Sequence, residues 1–239
     1  MMTELQKIIL YSGLSGITVF IGGIIAQLVE KKSSSTSLLK KEINHGISAF
    51  GGGIIVSALA LVLIPKGIEK LAVLPVVLWF SLGSICFFML DRLIAKKGGK
   101  IAQLLAMLMD FIPEAIALGA VFATDNKTGI LLAVFIGLQN LPESFNSYKD
   151  LRSTGFSAKK TLTLLFILSF SGIAGSLIGY NFLQDQPEIT SALMLFASGG
   201  ILYLIFEDIA PQAKLNHTWV PALGANLGFL VGIIGHLLI

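Results

Sequence analysis

The chain has 239 residues, 54% hydrophobic and 13% charged, with a formal net charge of +3 and a mean hydropathy of +0.84. A soluble domain carries roughly 25% charged residues, so about half the usual charge is missing, and the rest is gathered into short clusters between long uncharged runs. This excludes a soluble globular domain and predicts an all-α integral membrane protein.

Eight apolar segments near the length that crosses a bilayer run over residues 8–29, 43–64, 74–90, 101–123, 129–148, 161–182, 189–209 and 220–239, forming one transmembrane domain over 1–239. The first lacks a small-residue cleavage site and reads as a retained helix rather than a signal peptide. The breaks are short and polar, and the serine-rich one at 33–37 is the candidate flexible linker. The single cysteine, Cys86, excludes an intramolecular disulfide framework and a cysteine-based metal cluster.

Of the 17 Lys and Arg residues, the first, third, fifth and seventh connections hold 4, 4, 4 and 1. Basic residues stay on the cytoplasmic side, so both termini are expected outside. The same asymmetry explains the basic balance as topology, with no nucleic-acid partner. Tyr11, Tyr148, Tyr180 and Trp219 fall near helix ends, as an interfacial belt places them. Gly224, Gly228 and Gly232 on the last helix, and Gly175 and Gly179 on the sixth, recur every four residues and predict close helix packing.

The chemistry is concentrated in two segments, Asp110-Phe111-Ile112-Pro113-Glu114 on the fourth helix and Gln139-Asn140-Leu141-Pro142-Glu143 on the fifth. Both read polar-x-x-Pro-Glu, and a four-residue spacing puts the two polar side chains on one helix face. Each proline frees the carbonyl four residues back, Met109 or Leu138, and a freed carbonyl in lipid must face protein, water or an ion. Asp110 lies ten residues beyond Lys100, about 15 Å along a helix, close to the bilayer centre. Antiparallel packing of the two helices levels Asp110 with Glu143 and Glu114 with Gln139. Three carboxylates at that depth, each costing about 2.5–3.5 kcal/mol, call for a divalent cation or for protonation. Matched interruptions in paired helices point to a transporter binding site; the alternative is a set of buried acids that hydrogen-bond the helices together.

At these residues the sequence resembles the ZIP family of zinc/iron-regulated divalent metal transporters, in its bacterial branch. The family's His-Asn-x-Pro-Glu-Gly pattern corresponds to 110–115 and its second Pro-Glu motif to 139–144. Residues 47–65, 80–91 and 203–211 are similar to its second, third and seventh helices. The resemblance implies eight helices in a 3+2+3 arrangement with the fourth and fifth forming the metal site. It departs at Asp110, Phe111 and Ala115, where the family has His, Asn and Gly, and the sixth segment carries no ionisable residue. With Phe111 apolar and only Asn140 opposite it, a second adjoining metal position is not expected.

The implied donor set is all oxygen: Asp110, Glu114, Gln139 and Glu143, with Asn140, Glu207 and Asp208 as secondary or pathway residues. Zinc favours nitrogen and sulfur but accepts carboxylates, while manganese and iron tolerate oxygen-rich sites. The expected function is movement of a divalent cation (zinc, iron or manganese) into the cytoplasm, across the cell membrane, by a transporter with no prosthetic group. Its partners would be the metal, the lipid bilayer and, for an assembly, a second copy in a homodimer. No GxxxxGK[ST] loop is present to bind a nucleotide phosphate, and no enzymatic activity is expected. The alternatives are a non-transporting or metal-sensing relative and, last, an intramembrane aspartyl protease using Asp110 and Asp208, for which a Gly-x-Gly-Asp motif is missing.

Overall fold

The computed structural model describes residues 2–32, 38–97, 102–214 and 219–238, with some side chains, Asp110 among them, outside the description. The serine-rich connection also falls outside the described residues. The chain is all α-helical, with no strand among those residues.

The helices are α1 (Glu4–Lys32), α2 (Leu38–Ala58), α3 (Ile64–Ile68), α4 (Val73–Lys97), α5 (Ala102–Thr124), α6 (Asn126–Ser153), α7 (Ala158–Ser169), α8 (Ser171–Leu183), α9 (Pro187–Leu204), α10 (Ala210–Ala213) and α11 (Val220–Leu238). A π turn, Leu59–Leu63, joins α2 to α3, and a second, Ile205–Ile209, joins α9 to α10. Each π turn is followed after one residue by a proline, Pro65 or Pro211. Proline cannot donate to the preceding turn, and a wider turn absorbs the mismatch.

Seven helical stretches are long and apolar enough to cross a membrane: Glu4–Glu30, Asn44–Ile68, Val73–Lys96, Met107–Thr124, Ala158–Leu183, Pro187–Ile209 and Val220–Leu238. The chain is therefore a multi-pass membrane protein. The expected fifth span lies in α6, a 28-residue helix that does not meet that criterion by composition. Its setting supplies the reason. α6 lies against α1, α2 and α5, and buries Gln139, Asn140, Ser144 and Ser147 among protein. A helix lined by other helices can carry polar groups that lipid would not accept.

The expected sixth span is divided at Phe170. The Ser169 and Ser171 hydroxyls donate back to the carbonyls of Phe166 and Leu168, a pattern that bends helices. Gly16 of α1 sits against the Ser169 carbonyl at this break.

The long helices pair in a repeating manner. α1 lies along α6 as α8 lies along α5, and α2 lies along α11 as α9 lies along α4. α5 and α6 meet at the centre, joined only through Asp125, whose side chain accepts from the Thr128 amide (3.1 Å) and hydroxyl (2.5 Å) and caps α6. Gly155, with φ of 93°, supplies the left-handed turn beyond the other end of α6.

Small residues let these pairs close. A Cβ at Gly228 would collide with the Phe50 carbonyl of α2, and one at Gly179 with the Ile116 carbonyl of α5. Three consecutive glycines of α2 serve three different neighbours. Gly51 receives the Pro142 ring of α6, Gly52 the Ile209 side chain, and Gly53 the Ala225 carbonyl of α11. Successive residues point about 100° apart around a helix, so three glycines in a row clear three faces.

Candidate metal site

Pro113 and Pro142 sit inside α5 and α6. One residue after each comes a glutamate, and the two helices run antiparallel through the one-residue turn at Asp125. The structure brings Glu114 and Gln139 into direct contact: the Gln139 amide nitrogen donates to the Glu114 carboxylate. Both residues are 1% exposed, deep enough that neither exchanges freely with water. The Gln139 carbonyl oxygen is also buried and has no hydrogen-bond partner among the described residues. A buried carboxylate and a buried amide oxygen are donor types that a hard or borderline dication accepts.

Glu143 follows Gln139 by one turn of α6. It lines a cavity of about 20 Å³ together with Ser48, Gly51, Ile55, Asn146 and Ile209. That volume holds about one water. Beyond Glu143, Asn146 donates to the Ser48 hydroxyl at 2.8 Å, and Asp150 is half-buried. Gln139, Glu143, Asn146 and Asp150 are spaced by 4, 3 and 4 residues, so they form one polar stripe along α6. Sequence reasoning stopped at Glu143. The helical periodicity of this stripe was the available signal for Asn146, whereas Ser48 carries none.

The remaining expected residues are placed as follows. The Asp110 side chain lies outside the described residues. Among those residues, no group of three or more His, Cys, Asp and Glu side chains comes together. Asn140 is fully buried, and its amide donates to the Ser15 carbonyl of α1 at 3.1 Å. Phe111 is buried, with its ring against Gly172 and Gly16. The phenyl ring thus fills the space where α1 and α8 approach α5. Glu207 is exposed and Asp208 half-buried, both in the π turn after α9. Tyr203, one turn before Glu207, donates to Asp91 of α4 at 2.9 Å.

The opposite side of the site is closed by apolar packing. Ile55, Ala58 and Val62 from α2 and its π turn, Ala117, Leu118 and Val121 of α5, and Met194, Ala197 and Ile201 of α9 belong to one buried cluster. Past it lies a cavity of about 380 Å³ lined by Lys66, Lys70, Asp125, Ser191 and others. At its rim the Lys66 ammonium reaches Asp125 at 3.2 Å and Glu69 at 3.6 Å. Burial works to raise the Asp125 carboxyl, but the Thr128 hydroxyl and amide and the Lys66 ammonium outweigh it and hold the group below the usual carboxylate range. At the other end of the bundle, Glu30 ties α1 to α6 by accepting from the Tyr148 hydroxyl (2.8 Å) and Arg152.

Comparison with known proteins bears on the same region. A model of the ZIP zinc transporter family matches residues 95–239, a stretch that contains both proline–glutamate motifs. The zinc transporter GufA of Myxococcus xanthus is 31% identical over 119 residues, covering 49% of this chain and 47% of its own length. The zinc transporter ZIP13 of Pongo abelii is 27% identical over 146 residues, covering 56% of this chain and 44% of that protein. The human zinc transporter ZIP4 is 25% identical over 122 residues, 50% of this chain and 19% of the relative. The match thus spans less than half the length of each of these curated relatives.

Proposed function

Because the chain belongs to the ZIP zinc transporter family, we propose that it carries a divalent cation across the cell membrane into the cytoplasm, through one intramembrane site. The observation that carries this reading is the Glu114–Gln139 contact, a buried carboxylate bound to a buried amide between two proline-interrupted helices. Glu114, Glu143 and Asp110 would replace hydration-shell oxygens of the ion, and Gln139 would add a neutral oxygen. The eight-helix, 3+2+3 arrangement, with α6 as the central eighth helix, belongs to the same reading.

Three carboxylates against one dication leave a net negative charge, so a proton shares the site and competes with the metal. Zinc, iron and manganese all suit an oxygen set. The ion leaves along the α6 stripe through Glu143 and Asn146, toward the end where Glu207 and Asp208 lie. That end carries most of the basic residues, which supports the reading of a cytoplasmic exit with both termini outside. The apolar cluster beneath the Lys66 cavity then closes the outer side. For a homodimer the surface to examine is α4, whose span is only 11% buried; disulfide trapping through Val77→Cys in a Cys86→Ser background reads it.

Uptake of labelled zinc, manganese and iron into vesicles holding the purified protein tests the assignment. Wild type is expected to take up at least one of these ions, and Glu114→Ala and Glu143→Ala to reduce uptake to the level of empty vesicles. Equal uptake by all three proteins would sink the site.

A further inference from the structure

A second concavity, of about 620 Å³, lies at the same end of the bundle as the Glu143 cavity, between α2, the Ile205–Ile209 turn with α10, and α11. Its volume falls in the range of small-molecule sites. Its lining is apolar, with Val56, Phe206, Trp219 and Phe229 prominent, and Lys214 stands at its edge. Among the described residues, no carboxylate belongs to that lining. Among the described residues, Lys214 makes no ion pair, and it follows directly on the end of α10, where the chain leaves the helix. Trp219, 84% exposed, marks the level of the bilayer surface, where indole rings settle.

We propose that this groove holds one acyl chain of an anionic phospholipid, with the headgroup phosphate against Lys214. An amphiphile with one anion and a long apolar tail matches one unpaired cation at the mouth of an uncharged groove. The groove shares Gly52 and Ile209 with the Glu143 cavity. An acyl chain seated there packs against the outer side of the wall whose inner side faces the ion path, and steadies the π turn that carries Glu207 and Asp208. The assignment to the cytoplasmic leaflet rests on the orientation proposed above. Binding itself requires only that the chain sits in a membrane, so transport activity and lipid retention can fail separately.

Native mass spectrometry of the purified full chain, loaded with dioleoylphosphatidylglycerol or dioleoylphosphatidylcholine, tests this. Wild type is expected to retain one phosphatidylglycerol with a preference of roughly fivefold over phosphatidylcholine, the factor that one basic side chain contributes beside an anionic headgroup. Lys214→Gln, an exposed change, should abolish the preference. Ala222→Phe, which fills the groove, should abolish retention of both lipids. Equal retention of the two lipids by wild type would overturn the proposal. So would an undiminished preference in Lys214→Gln, or a wild-type dimer that forms in place of the lipid-bound species and is lost in Ala222→Phe.

Discussion

The Gln139 amide donates to the Glu114 carboxylate and so joins the midpoints of two antiparallel, proline-interrupted helices. This contact fixes the relative register of α5 and α6 at the candidate site. Leaving a buried acceptor without its donor costs about 1–3 kcal/mol, more when it is charged. Gln139→Leu is expected to lower the melting temperature in detergent. The double variant Glu114→Leu/Gln139→Leu should lose less than the two single losses added together, with a coupling of about 0.5–3 kcal/mol. Strictly additive losses would show that the two side chains do not act as a unit.

The Lys66–Asp125 pair predicts a pH dependence. Asp125 is held below its ordinary value of about 3.9, chiefly by Thr128 and Lys66 acting against burial. A carboxyl lowered in the folded state adds stability that is fully present above the unfolded value and is lost as pH falls through the folded one. Thermal unfolding between pH 5 and pH 2 is expected to show this loss for wild type and a shallower dependence for Asp125→Asn. Both side chains are about one-third exposed, and solvent screening keeps the effect small. Identical pH profiles would mean that the pair contributes nothing measurable.

Two glycines, one on each of a packed pair of helices, should respond oppositely to alanine. At Gly228 the added methyl meets the backbone carbonyl of Phe50, which cannot turn aside, while at Gly46 none of the described residues lies within 4 Å of it. Overpacking of this kind costs about 1–3 kcal/mol. Glycine in an open helix position costs up to about 1 kcal/mol relative to alanine. Gly228→Ala is therefore expected to lower the melting temperature and Gly46→Ala to raise it slightly. The same sign for both would disprove the packing account.

Asn146→Leu interrupts the polar stripe of α6 without touching Glu114 or Gln139. Removal of one polar contact from the path should slow uptake about tenfold and leave equilibrium metal binding unchanged. Stopped-flow uptake beside calorimetric titration separates the two effects. A matched loss of binding would move Asn146 into the site itself.

The paired motifs were legible because proline, glutamate and a four-residue spacing have geometric meaning without knowledge of neighbours. The Glu114–Gln139 level followed from antiparallel packing alone. The division at Phe170 was not legible, because it depends on serine back-bonding and on Gly16 approaching from α1, a contact distant in sequence. Nor were the π turns: Pro65 and Pro211 mark a disturbance, but the turn that absorbs it depends on the packing around α2 and α9. α6 shows the limit most clearly. Hydropathy scores what a helix is made of, whereas its polar residues are tolerated because of what surrounds them. Trp219 and Lys214 read singly as belt and charge, and only the fold puts them on one groove.

The run Gly51–Gly53 leaves α2 without teeth toward α6, the α9 π turn and α11 together. Each neighbour is seated in a notch, the Pro142 ring at Gly51, the Ile209 side chain at Gly52 and the Ala225 carbonyl at Gly53, so the three contacts fix the height of α2 against its surroundings. Gly51 also lines the cavity beside Glu143. The same notch that admits the Pro142 ring therefore sets the clearance next to that carboxylate, and a methyl group added there would change both together.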